Sequence, residues 1–213
     1  MPKRKGYIIE QIADIDNLRA ADKMAQAGGK AKRNRFIRRH NARAEEDLKE
    51  LQRMILEEDW PEVTYSKLIV HNDNGKDRDI ARQNFFPWKI LQHAIIRVIG
   101  LDIYRNIIAD SFACVPGKGL HYGVKRLKKM LRKNPEYKFF WKADYKKYYQ
   151  SIPHDVLKTN LERKFKDRRF IRLMEITILS YTPEQDILDS LEYERNRTEK
   201  RFANRSKYQP ASR

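Results

Sequence analysis

The chain has 213 residues and sets 46 Lys and Arg against 29 Asp and Glu, a formal charge of +17 at pH 7. An excess of that size has to face something anionic, with nucleic acid ahead of a membrane surface. The single cysteine, Cys114, excludes an internal disulfide and reads as a small buried hydrophobe in a reducing interior. No apolar run approaches the roughly 18 residues needed to span a bilayer, because Arg97, Asp102 and Arg105 break the best stretch, Ala94 to Ile108. The charged start has no signal-peptide core, so a cytoplasmic protein with no membrane partner is expected.

From Tyr7 to about Ala27, the pattern Ile8, Ile9, Ile12, Ile15, Leu18 predicts a short amphipathic helix ending at Gly28-Gly29. A second helix is expected over Arg33 to Asp59. Its first half is basic (Arg33, Arg35, Arg38, Arg39, His40, Arg43) and its second half acidic, so the basic half is either a phosphate contact or a solvated face. Residues 1–62 thus form an N-terminal helical segment. Val63 to His71 and Lys76 to Arg82 read as two strands joined by the tight turn Asn72-Asp73-Asn74-Gly75. Period-two spacing lines up Lys76, Arg78 and Arg82, which suits a triphosphate or a nucleic-acid backbone, or serves to keep a hairpin edge soluble.

Pro87 opens a helix with the apolar stripe Ile90, Leu91, Ala94, Ile95, Val98, Ile99, which leaves His93 off the seam in a structural role. Asp110 to Gly119 is a loop by its Pro-Gly and Gly, able to bring Lys118 close to a phosphate, although it lacks Walker spacing. Leu120 to Lys133 is a helix with Val124, Leu127, Met130 and Leu131 inward. Lys125, Arg126, Lys128, Lys129, Arg132 and Lys133 face outward. Residues 63–137 form the second unit.

The stretch Lys138 to Leu157 is the one around which the rest of the chain is organised. Phe139-Phe140-Trp141 reads as a buried strand that delivers Asp144 at its end, where stiff backbone aims a carboxylate at Mg²⁺; Tyr148 and Tyr149 come within one short turn. The competing reading makes Asp144 a cap of the next turn and the tyrosines core. Helices are expected over Pro153 to Phe165 and Arg168 to Ser180, within a unit 138–182. Residues 183–213 read as a charged helix and a disordered tail.

Four segments in order carry a resemblance: K-D-R-D-I at Lys76 to Ile80, L-Q-H-A-I-I at Leu91 to Ile96, S-F-A-C-V-P-G-K-G at Ser111 to Gly119, and K-A-D-Y-K-K-Y-Y-Q-S-I at Lys142 to Ile152. Together they resemble the fingers and first palm segment of bacterial reverse transcriptases, closest to the diversity-generating retroelement type, with group II intron and retron enzymes as near relatives. Agreement is weaker back to Tyr7. The resemblance implies an RNA-directed DNA polymerase using Mg²⁺, or Mn²⁺, in two-metal nucleotidyl transfer. It makes Asp144 the first catalytic and metal-binding carboxylate and Tyr145 a backbone-carbonyl ligand. It casts Tyr149 as the aromatic beneath the incoming sugar, and Lys76 and Arg78 as the triphosphate clamp. Arg82, Lys118, Lys125, Lys128, Lys129 and Arg132 would hold nucleic acid. Implied partners are an RNA template, a DNA or RNA primer, a deoxynucleoside triphosphate, and an accessory protein or missing palm half.

The sequence also departs from that family. Of the 213 − 144 = 69 residues after Asp144, none forms the family's glycine-proline-glycine segment or its adjacent aspartates. Asp186 and Asp189 stand three apart on a charged segment with no strand to aim them. The expectation is therefore an α+β fragment, with helix-rich fingers, a small antiparallel hairpin or sheet and an incomplete palm, inactive alone through truncation, splitting or a frame shift. Its unpaired strand would present an apolar face and favour self-association. The alternative is a non-catalytic basic RNA- or DNA-binding protein of the same descent, and the third reading is a basic structural protein of a ribonucleoprotein particle.

Overall fold

The computed structural model describes residues 4–28, 34–60, 63, 65–71, 77–145 and 148–179. Eight α-helices are described: α1 Ile9–Ala13, α2 Ile15–Ala25, α3 Arg35–Asn41, α4 Ala44–Glu57, α5 Ile90–Tyr104, α6 Leu120–Lys133, α7 His154–Lys164 and α8 Arg168–Leu179. A π-helical turn, Phe85–Lys89, leads into α5, and a 3₁₀ turn covers Tyr148–Ser151.

Two helices stand where one long N-terminal helix is predicted. Asp14 leaves helical backbone (φ −57°, ψ 128°), and its carboxylate accepts from the Asp16 and Asn17 N–H groups at 3.0 and 2.9 Å. It is an N-cap, satisfying donors that a new helix leaves open. The stretch Arg33 to Asp59 is divided in the same way into α3 and α4, with Arg43 turned to φ −142°. Glu45, Glu46 and Asp47 fill the first turn of α4, where the helix dipole favours anions. These breaks let short helices turn around a common centre instead of running past it.

That centre is apolar. Ile8, Ile9 and Ile12 meet Leu18 of α2, Leu48, Leu51 and Ile55 of α4, and Ile90, Leu91, Ile95 and Ile99 of α5. Phe165, Phe170 and Leu173, from beyond residue 160, complete the same cluster, with the two phenylalanine rings edge to face at 5.1 Å. Burial of these side chains is the main term that holds the bundle, at roughly 1.5–3 kcal/mol for each large one.

Polar contacts fix how the C-terminal helices dock. Lys5 N–H donates to the Lys164 carbonyl at 3.2 Å and Lys166 N–H to the Lys5 carbonyl at 2.8 Å. Lys5 Nζ reaches Asp102 Oδ2 at 2.7 Å and the Val98 carbonyl at 3.1 Å. Asp167 uses one oxygen on the Ile8 and Ile9 N–H groups (2.7 and 3.1 Å) and the other on those of Arg169 and Phe170 (3.1 and 3.2 Å). One carboxylate thus caps two helices far apart in sequence, and those bonds outweigh its burial, holding its pKa below the usual carboxylate value.

The α+β expectation is corrected. The described chain is a helical assembly, and Phe139 to Trp141 forms no strand. A strand needs a neighbour for its backbone groups, and among the described residues none lies beside 137–145, so the start of a palm sheet is not formed. Extended pairing is confined to Tyr65–His71 (β1) against Asp77–Gln83 (β2), antiparallel with Leu68 opposite Ile80. No third strand joins them, and two strands alone make no structural layer. The helix predicted over Arg168 to Ser180 ends at Leu179 as described; residues 180–213, with Asp186 and Asp189, lie outside the described residues. No helix among the described residues is long and apolar enough to cross a membrane.

Candidate nucleic-acid interface

The site begins with the loop after α5. Val115, Pro116, Gly117 and Lys118 make a tight turn in which the Lys118 N–H donates to the Val115 carbonyl at 3.0 Å and Gly117 takes φ +74°. That positive φ is why glycine stands there. The Lys118 ammonium donates to the Ala109 carbonyl at 2.8 Å, closing the loop on itself. Lys118 therefore braces the loop instead of reaching freely outward. Cys114, expected to be buried, is exposed, at φ +57°.

Two contacts hold α6 to this loop. Arg126 Nε donates to Asp110 Oδ1 at 2.7 Å, a bond that holds the Asp110 carboxyl below its usual pKa. Phe112 lies over Gly123, where a Cβ would come within 3.1 Å of the ring, and stacks at a tilt on Tyr122 at 5.9 Å. A glycine inside a helix costs stability, and here it makes room for an aromatic ring.

Beyond those anchors α6 stands clear of the bundle. It contains no buried residue. Helical periodicity puts Lys125, Lys128, Lys129 and Arg132 on one side, all exposed, and among the described residues no carboxylate pairs with them. Val124, Leu127, Met130 and Leu131, predicted to face inward, are 43, 49, 38 and 46% exposed. Their stripe is in place, but no described element packs against it.

The next segment departs furthest from expectation. Phe139, Phe140 and Trp141 are 96, 93 and 88% exposed, and Asp144 stands in irregular, exposed backbone. Tyr145 and Tyr148 place their rings 6.2 Å apart, tilted at 53°, and are themselves exposed. Tyr149 belongs to the 3₁₀ turn Tyr148–Ser151, and Arg78 and Arg82 belong to β2; the side chains of all three lie outside the described residues, as does Lys76 entirely.

Among the described residues no group of three His, Cys, Asp or Glu side chains converges as a metal site. A magnesium pair needs convergent carboxylates, so the described residues do not fit one. What the arrangement does offer is an exposed row of cations on a helix, followed in the chain by exposed aromatic rings, a combination suited to phosphates and unstacked bases.

The periodicity shows the cationic face of α6 directly. The anchors Asp110, Phe112 and Gly123 are missed, and the one signal for them is the glycine interrupting an otherwise strong helix. No protein-family model matches the chain, and no curated protein matches it.

Proposed function

We propose that this chain is a basic, cytoplasmic RNA- and DNA-binding protein of reverse-transcriptase descent that does not carry out nucleotidyl transfer by itself. The carrying observation is the exposed face of α6, where Lys125, Lys128, Lys129 and Arg132 stand without described anionic partners. Support for the descent comes from the four ordered segments between Lys76 and Ile152. Support for the lack of turnover comes from the sequence after Asp144, which has no adjacent aspartates, and from the described residues, among which no three His, Cys, Asp or Glu side chains converge.

The test has two arms. In primer extension on an RNA template with Mg²⁺ and deoxynucleotides, wild type and Asp144→Asn should both give no product; extension by the wild type that Asp144→Asn abolishes would overturn the non-catalytic reading. In salt titrations of single-stranded RNA binding, the two proteins should bind alike. Replacing Lys125, Lys128, Lys129 and Arg132 together by Gln should flatten the logarithmic salt slope by up to about 3, at roughly 0.7 per phosphate contact. An unchanged slope would remove α6 from the interface.

A second reading is a polymerase completed by another polypeptide. It is favoured by the exposed apolar stripe of α6 and the exposed Phe139-Phe140-Trp141, which together offer a surface for a partner. In that case extension would appear only when the partner is added, and Asp144→Asn would abolish it.

A further inference from the structure

A second cationic feature lies away from α6, where α7 meets α8. The start of the described chain runs beside Phe165, and an open groove of about 490 Å³ lies there. Phe165, which is 1% exposed, and Ile171 are its apolar lining residues, and the rest of the lining is charged. The walls bring Arg4, Lys166, Arg168 and Arg172 together with one carboxylate, Glu162.

The four cations are not equivalent. Arg172 is committed to Glu58 through two bonds of 2.6 and 2.7 Å. Arg4 donates to the Glu162 carbonyl at 3.3 Å, which orients its guanidinium without neutralising it. Among the described residues, Lys166 and Arg168 meet no carboxylate. The stem of Lys166 crosses Gly6, where a Cβ would lie 2.7 Å from Lys166 Cε. A side chain at residue 6 would push the stem away, so the glycine sets its path. Asp167, the nearest acid in sequence, has both oxygens occupied by four backbone N–H groups. The groove therefore keeps a cationic surplus. A phosphate held between a guanidinium and an ammonium matches that layout.

We propose that this groove is a phosphate-binding site that takes the backbone of single-stranded RNA. It rests on the reading of the chain as a nucleic-acid-binding protein, and it adds a site separate from α6. The experiment compares the full chain, Lys166→Gln/Arg168→Gln, and the α6 variant Lys128→Gln/Lys129→Gln in RNA-binding salt titrations, with thermal melting as a check on folding. Inorganic pyrophosphate, titrated calorimetrically, serves as the small probe. The groove variant should melt like the wild type, bind RNA more weakly and lose about 1.4 from the salt slope, at roughly 0.7 per contact. If its slope and affinity equal those of the wild type while the α6 variant loses both, the groove proposal fails and the general reading stands. If no protein binds RNA, the general reading fails. In that case pyrophosphate binding lost only in the groove variant would keep a site for free phosphates, and no pyrophosphate binding by the wild type would overturn the proposal altogether. Should the groove variant melt early, Arg4→Gln, which changes an exposed side chain at the groove wall, is read in its place.

Discussion

His40 is placed where a basic residue of a solvated helix face is least expected. Its side chain is 1% exposed, with Nδ1 2.8 Å from Asp47 Oδ2 and Nε2 3.2 Å from Asp22 Oδ1, the latter contact off hydrogen-bond geometry. Gln26 donates to both Asp22 oxygens and Arg43 Nε lies 3.0 Å from Asp47 Oδ1, while the Phe86 ring stacks on the imidazole at 5.9 Å and Phe85 tilts against it at 5.4 Å. Burial alone would lower the His40 pKa; the two carboxylates outweigh it and hold the imidazolium above its ordinary value of 6.5. A raised folded-state pKa stabilises fully below the unfolded value, and that contribution is lost as pH rises through the folded one. Urea midpoints should therefore fall on the alkaline side of 6.5 in wild type, and this pH dependence should vanish in His40→Ala. Removing the imidazole leaves two facing carboxylates in the interior and should cost about 3 kcal/mol at neutral pH. A variant as stable as wild type at every pH would exclude the charged bridge. On the acid side, Asp22, whose close approach to the His40 ring and whose bonds from Gln26 outweigh its burial and depress its pKa, contributes stability that is lost as pH falls below 3.8 through its folded value.

Among the elements, α6 and α5 are of similar length but opposite in environment. Helix α5 buries Ile90, Leu91, Ala94, Ile95, Ile99 and Gly100, whereas α6 buries nothing. In hydrogen exchange the α6 amides should lose protection through local opening while those of α5 exchange only with global unfolding. Gly123→Val, by displacing Phe112, should speed exchange in α6 and leave α5 unchanged; equal protection of both helices would mean that α6 is covered in solution. The same pair shows how far the sequence reaches. The ends of α6 and α7 are legible because the apolar period and the helix-stopping residues coincide at Gly119, Asn134 and Pro153. The break at Asp14 is not, since Ile12, Ile15 and Leu18 keep a helical rhythm across it, and the break at Arg43 falls within residues 38–47, which hold no isoleucine or leucine to mark it; tertiary packing decides where each helix turns. Phe139-Phe140-Trp141 misleads for a related reason. An aromatic run reports a tendency to be buried, and burial needs a partner surface that the described residues do not supply. Of the candidate site, the cations are readable residue by residue, but the absence of ion pairs at Lys125, Lys128, Lys129 and Arg132 among the described residues and the bracing role of Lys118 depend on distant neighbours.

On the scale of the whole molecule, two forces act in opposition. A charge of +17 drives copies apart, while the exposed stripe of α6 and the aromatic run draw apolar surfaces together. Salt screens the first and leaves the second. Light scattering should show self-association growing as salt is raised, opposite in sign to RNA binding, and Leu127→Gln with Trp141→Ser should reduce it; association unaffected by these changes would place the contact elsewhere. The capping of α1 and α8 by Asp167 has a consequence in time. The chain leaves the ribosome with Ile8 and Ile9 early and Asp167 late, so two donors at the head of the first helix wait for an acceptor made some 160 residues afterwards. Phe170 and Leu173 arrive with it to close the core. At ordinary elongation rates of about 5–20 residues per second, the nascent N-terminal bundle spends on the order of ten seconds or more half-finished, with its apolar centre open to whatever chaperone or nucleic acid is near.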